Sequence, residues 1–182
     1  MYDFINDDLT LVETEWRKKP AYQGGFLLDG GVHFIAGTRL LIGETKPKAV
    51  SAFTSQLQPH LPPVDTVNSV WATDSGVSGT FSVSFGTSFK GSEYAVACEK
   101  GTVTVVRSKV TVTVDGKEDV KNFDQEGSGV KQEVAAWSRS IAAGKPDVKQ
   151  SPEHALADLE LLQKMLESGA AHGKTEILQH QI

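Results

Sequence analysis

GGFLLDGGVHFIAGTRLLIG, residues 24–43, is the stretch on which the fold turns. Its apolar residues fall into two series seven apart, Leu27, Phe34, Leu41 and Leu28, Ile35, Ile42. That repeat suits a helix and not a strand. Gly43 is placed to end the helix and Pro47 bars its extension. Each internal glycine costs a helix about 1 kcal/mol relative to alanine. The glycines therefore imply a close approach, either by another backbone or a ligand or by tight packing on a sheet. Asp29 and His33, four apart, lie on one face of this helix.

Beyond Pro47 the period changes. Residues 49–57, 64–72, 77–89 and 94–98 are rich in Val, Thr, Ser and Phe. Apolar residues alternate strictly in Phe81, Val83, Phe85 and in Val110, Val112, Val114. Turns are expected at Asp74–Gly76, Glu99–Gly101 and Asp115–Gly116. Helical spacing returns in Val130, Val134, Trp137, Ile141, with Ser128 as the expected cap and Gly144 and Pro146 as the stop. Ser151 followed by Pro152 opens a last helix, with a stripe of Ala155, Leu159, Leu162, Leu166 and a stop at Gly169.

Helix, a run of strands, then two helices is an α+β order. The expected architecture is a largely antiparallel, open-faced sheet with helices packed on one face. The other face, lined with Ser and Thr, is solvated or covered by another chain. The expected division is a lead-in over 1–15, one α+β domain over 16–169 and a flexible tail over 170–182.

The 182 residues suffice for one well-buried core. A net charge of -5 with scattered Lys and Arg argues against nucleic acid as a partner. No apolar run reaches the length of a membrane span, and the N-terminus lacks the basic start and apolar run of a secretory signal. The single cysteine, Cys98, sits in an apolar strand pattern and reads as a buried structural residue. A soluble, cytoplasmic protein is expected. His60, His154, His172 and His180 form no ligand-spaced cluster, so no metal site is expected.

A carboxylate beside an imidazole can orient the ring and let it move a proton near neutral pH. An isolated Asp-x-x-x-His pair is a weak motif, and a surface ion pair gives the same pattern. Here Gly24, Gly25, Gly30 and Gly31 bracket it and apolar residues surround it, and titratable groups in such a setting need a reason.

Trp16-Arg17 followed by YQGGFLLDGGVH (residues 22–33) resembles the active-site helix of the Gfo/Idh/MocA oxidoreductases. The resemblance continues in LQPHLPPVDT (57–66), in the strand from Gly79, in Glu99-Lys100-Gly101 and in the helix opened by Ser151-Pro152. Members combine an N-terminal Rossmann domain for NAD(P) with a C-terminal α+β domain. The second domain contributes the substrate wall and, through its open sheet face, the oligomer contact. The resemblance implies that His33 is the acid/base for the substrate hydroxyl proton. It implies that Asp29 binds and holds the substrate, and that Trp16 and Arg17 line the approach. The family often carries Asp three residues after the histidine, where this chain has Ala36.

No strand leads into Gly-x-Gly-x-x-Gly and a helix, and the family's Glu-Lys-Pro lysine motif has no match, since Lys145-Pro146 follows Gly144. No cofactor is therefore expected on this chain alone, while NAD(P) is implied for a full-length member. The first expectation is a substrate-binding and oligomerisation domain for a sugar or polyol-type hydroxylated ligand, without dehydrogenase activity alone. It would form homo-oligomers through its open sheet face. Two alternatives stand beside it. One is a catalytic half working with a separate NAD(P)-binding partner. The other is a cofactor-free proton-transfer enzyme using Asp29 and His33.

Overall fold

A computed structural model describes residues 15–21, 25–61, 64–89, 91–124 and 127–182. The elements run α1 (Glu15–Lys18), α2 (Gly25–Ile42), β1 (Pro47–Ser55), β2 (Thr66–Thr73), β3 (Ser78–Ser84), β4 (Glu93–Cys98), β5 (Gly101–Val106), β6 (Lys109–Val114), β7 (Lys117–Asn122), α3 (Val130–Ala142), α4 (Pro152–Ala170) and β8 (Glu176–Ile177). The α+β class is as expected. The strands, however, form two antiparallel sheets, ordered β3-β2-β1-β8 and β4-β5-β6-β7. The chain accordingly divides into two compact units, residues 89–151 and the remainder.

In the first sheet, alternation sorts the side chains. Val50 and Ala52 of β1, Val67, Ser69 and Trp71 of β2, and Phe81 of β3 point to the buried face. All of these but Ser69 pack with Leu27 and Ile35 of α2 and Leu161, Leu162, Met165 and Leu166 of α4 in one core. Each buried Val, Leu, Ile, Phe or Met side chain among them contributes about 1.5–3 kcal/mol by leaving water. On the other face Phe53 and Val70 stand exposed.

The buried stripe of α4 is rotated from the expected one. Ala157, Leu161, Leu162, Met165 and Leu166 face inward, while Ala155 and Leu159 face out. Two leucine series overlap in this helix, and small polar contacts choose between them. Glu160 and Ser168 lie on the inward side because both are satisfied there. Ser168 Oγ accepts the Ala52 N–H at 2.8 Å and donates to the Lys174 carbonyl at 2.6 Å.

The expected tail is not loose. β8 pairs with β1, Ala49 against Ile177 and Val50 against Glu176. Leu178 joins the core. The Glu160 carboxylate accepts the Gln179 and His180 N–H groups and the Gln181 side-chain amide. Arg39 of α2 bonds Asp158 at 2.7 Å and Gln181 at 3.1 Å, so three segments meet at one guanidinium.

In residues 89–151 the meander β4–β7 is joined by tight turns. Ser108 and Asp115 take positive φ there, as does Gly116. None of the described residues of this unit is buried. Cys98, expected inside, is exposed at the end of β4, because this sheet's faces are less covered than its alternation suggests. Ser128 is not the cap of α3. Gly129 takes that place in left-handed conformation, with no side-chain cap bond. Among the described residues no helix is long and apolar enough to cross a membrane.

Candidate functional site

Three of the four residues singled out from the sequence converge. The single turn of α1 presents Trp16 and Arg17, and α2 presents Asp29. Arg17 Nε donates to Asp29 Oδ2 at 2.9 Å. The Arg17 guanidinium carbon lies 4.0 Å from the centroid of the Trp16 ring. The guanidinium therefore has an indole on one side and a carboxylate on the other, a pairing that suits its planar, weakly hydrated charge. Asp29 is one-third exposed and Arg17 much less so, with side-chain exposures of 33% and 15%. An ion pair this close to water is worth about 1 kcal/mol or less in stability. Its main effect is geometric.

His33 sits one turn beyond Asp29 on α2, and its side chain is exposed. No hydrogen bond joins the two among the described residues. The sequence suggested a carboxylate that orients the imidazole; in the structure that carboxylate is engaged by Arg17 instead. Asp29 Oδ1 takes no hydrogen bond from a described residue. Residues 1–14, most of the expected lead-in, lie outside the described residues. So do Tyr22, Gln23 and Gly24 of the quoted motif.

The helix glycines now have a physical account. A Cβ on Gly30 would stand 2.6 Å from Phe85 Cζ, so glycine lets α2 settle onto that ring. A Cβ on Gly31 would meet Leu162 and Leu27 at ordinary contact distances, so that position tolerates a methyl. Packing, and not a ligand, explains Gly30.

Phe85 leads to a residue that sequence reasoning did not single out. Its N–H donates to the Asp65 carbonyl at 2.9 Å. The Asp65 side chain is buried and accepts the N–H groups of Leu57 and Gln58 and the hydroxyl of Thr66. Gly86 leaves room for this carboxylate. Asp65 thus fixes the loop from Leu57 and, through Phe85, the seat of α2 beneath Asp29. The signal in the sequence was an aspartate between Val64 and Thr66 at the start of a strand, where a charge has no place unless backbone donors meet it. His60, in the same loop, is exposed.

No group of three or more His, Cys, Asp or Glu side chains is placed to hold a metal ion among the described residues. A dinucleotide cradle needs a parallel βαβ unit with a glycine-rich first turn. Both sheets here are antiparallel, and α2 follows α1 and not a strand. The described residues therefore do not fit a nicotinamide dinucleotide.

An antiparallel sheet backed by two helices, with Asp29 and His33 on one of them, defines an α+β domain without a parallel βαβ unit among the described residues. The GFO/IDH/MocA C-terminal domain family matches residues 2–104, more than half of the chain, and the chain belongs to that family. Dehydrogenase FPY6 of Fusarium mangiferae is 39% identical over 186 residues, covering 97% of this chain and 53% of the relative. An oxidoreductase from Thermotoga maritima superposes with a TM-score of 0.78 at 29% identity, covering 94% of this chain and 50% of that one. The aldose-aldose oxidoreductase of Caulobacter crescentus, solved with glycerol, has a TM-score of 0.75 at 21% identity, covering 91% of this chain and 51% of its own; it shows the fold alone. Further neighbours were solved with NAD or NADH. The chain spans about half the length of the curated relatives it matches.

Proposed function

We propose that this chain forms the substrate-binding and oligomerisation domain of an NAD(P)-dependent oxidoreductase acting on a sugar or polyol-type hydroxylated substrate. The observation that carries the reading is the Arg17–Asp29 pair one turn from the exposed His33. Arg17 holds one carboxylate oxygen, and Asp29 Oδ1 accepts a hydrogen bond from a substrate hydroxyl. His33 takes the proton of the reacting hydroxyl. Trp16 offers an exposed indole at the approach. The nicotinamide comes from a nucleotide-binding half, since the described residues do not fit it. The open face of the first sheet, with Phe53 and Val70 exposed, is the self-association surface in this reading. The lone cysteine suits a cytoplasmic setting.

The test is a titration of the purified chain with glucose and with myo-inositol, followed by NMR of the His33 imidazole. A saturable shift that Asp29→Asn removes is expected. An unchanged His33 signal at saturating sugar, or a shift indifferent to Asp29→Asn, overturns the assignment of this pair as the ligand site.

A further inference from the structure

Asp65 is 1% exposed, and among the described residues no cation stands within ion-pair distance of it. Its carboxylate is met by dipoles alone: the Leu57 N–H at 3.0 Å, the Gln58 N–H at 2.9 Å and the Thr66 hydroxyl at 2.8 Å. A carboxylate buried without a cation carries a desolvation cost that an apolar residue of similar volume would not. What it supplies in return is position.

Three consecutive residues at the end of β3 answer to this group. Thr66 commits its hydroxyl hydrogen to Asp65, so the 2.7 Å contact between Thr66 Oγ1 and Ser84 Oγ is a bond that Ser84 donates. Phe85 donates its N–H to the Asp65 carbonyl at 2.9 Å. The Gly86 carbonyl accepts the Gln58 side-chain amide at 3.0 Å, and a Cβ on Gly86 would collide with the Asp65 carboxylate. Phe85 then carries α2, because its ring fills the place a Cβ on Gly30 would need. Gly30 stands between Asp29 and His33 on the same turn. Arg17 reaches Asp29 from a different element, at 2.9 Å, and such a bond weakens steeply when one partner is displaced.

We propose that Asp65 is a positioning residue for the Asp29–His33 turn. Its carboxylate fixes Ser84, Phe85 and Gly86, and the Phe85 ring passes that fix to Gly30 and so to the placing of Asp29 against Arg17. The inference rests on the reading of this turn as the ligand site. It adds a buried residue that sets the affinity of the site by acting through Phe85.

The test follows the Arg17 Nε–H by NMR in the ligand-free chain, where its slow exchange reports the bond to Asp29. Asp65→Asn keeps the shape of the side chain and puts a donor where an acceptor is needed. Gly86→Ala leaves Asp65 in place and drives a methyl into its carboxylate. In each variant the Nε–H should exchange at least tenfold faster, and affinity for glucose or myo-inositol, read at His33, should fall at least tenfold. Leu166→Ala, a loss from the core on α4, should alter neither. An unchanged Nε–H in either folded variant, or the same acceleration in Leu166→Ala, overturns the proposal. Should Asp65→Asn or Gly86→Ala fail to fold, Phe85→Leu removes the ring while keeping the carboxylate and its donors. The same tenfold acceleration is expected there, and an unchanged signal overturns the proposal. A parent chain that binds neither sugar, while the Nε–H responds as described, counts against the sugar reading and leaves the positioning role of Asp65 in force.

Discussion

The two units of this chain share a vocabulary and differ in what their alternation achieves. In β1–β3 every second side chain enters a core shared with α2 and α4, and Leu27, Ile35, Ala52, Val67, Leu162 and Met165 are wholly enclosed. In β4–β7 the same Val and Thr alternation leaves every described residue at least partly exposed. The difference teaches that alternation announces a sheet with two unlike faces and does not say what lies against either. A helix laid on the sheet, as α4 is on β1, turns pattern into burial.

The sharpest way to break this contrast is to cut equally into both units. Leu162→Ala, in the enclosed core, should cost about 2–5 kcal/mol. Ile141→Ala, on the exposed stripe of α3, should change stability by no more than about 0.5 kcal/mol. Urea unfolding of the isolated chain measures both, and similar losses at the two sites would erase the distinction drawn between the units.

A smaller effect tests the seat of α2. Gly30→Ala drives a methyl into Phe85 and should destabilise by about 1–3 kcal/mol. Gly31→Ala has room and removes a helix-interior glycine, so it should be neutral or stabilise by up to about 1 kcal/mol. Thermal melts that rank the two the other way would show that Phe85 yields at little cost.

Acid probes the C-terminal closure of the same unit. Burial raises the Glu160 pKa, but hydrogen bonds from the Gln181 amide and from the Gln179 and His180 N–H groups, with the nearby His180, outweigh it and leave it below its ordinary value. The unfolded chain then takes up the proton first as pH falls. The contribution of Glu160 is complete at neutral pH and is lost progressively below about pH 4.3, the ordinary glutamate value. Glu160→Gln should therefore cost about 1–2 kcal/mol at pH 7 and progressively less toward pH 3. A difference that does not depend on pH would remove the charge from this account.

Least in stability terms is the site itself. Arg17→Ala should cost about 1 kcal/mol or less, because the pair it breaks is partly hydrated. Ligand affinity, read by the His33 titration, should fall by a larger factor than stability does. A variant that binds sugar like the parent would deny Arg17 its role in holding Asp29.

Much of this was legible in the sequence. The seven-residue spacing of Leu27, Phe34 and Leu41 was enough for α2, and the family followed from the glycines, Asp29 and His33 in order. β7 was not legible, because KEDVKN is charged and wholly exposed and carries no alternation. β8 was missed because two residues make no pattern, and its order comes from the β1 edge and the Glu160 carboxylate.

Local rules therefore settle what one element can know by itself: the period of α2, the turns at Asp115-Gly116, and the presence of Asp29 and His33 on one helix face. Only the tertiary structure decided that Arg17, twelve residues before Asp29, claims its carboxylate. It also decided that α4 turns Glu160 inward, that Asp65 is buried to hold Phe85 under Gly30, and that the stripe of α3 is left uncovered. Each of these depends on a partner distant in sequence, and spacing along a chain carries no information about which donor or surface will arrive from elsewhere.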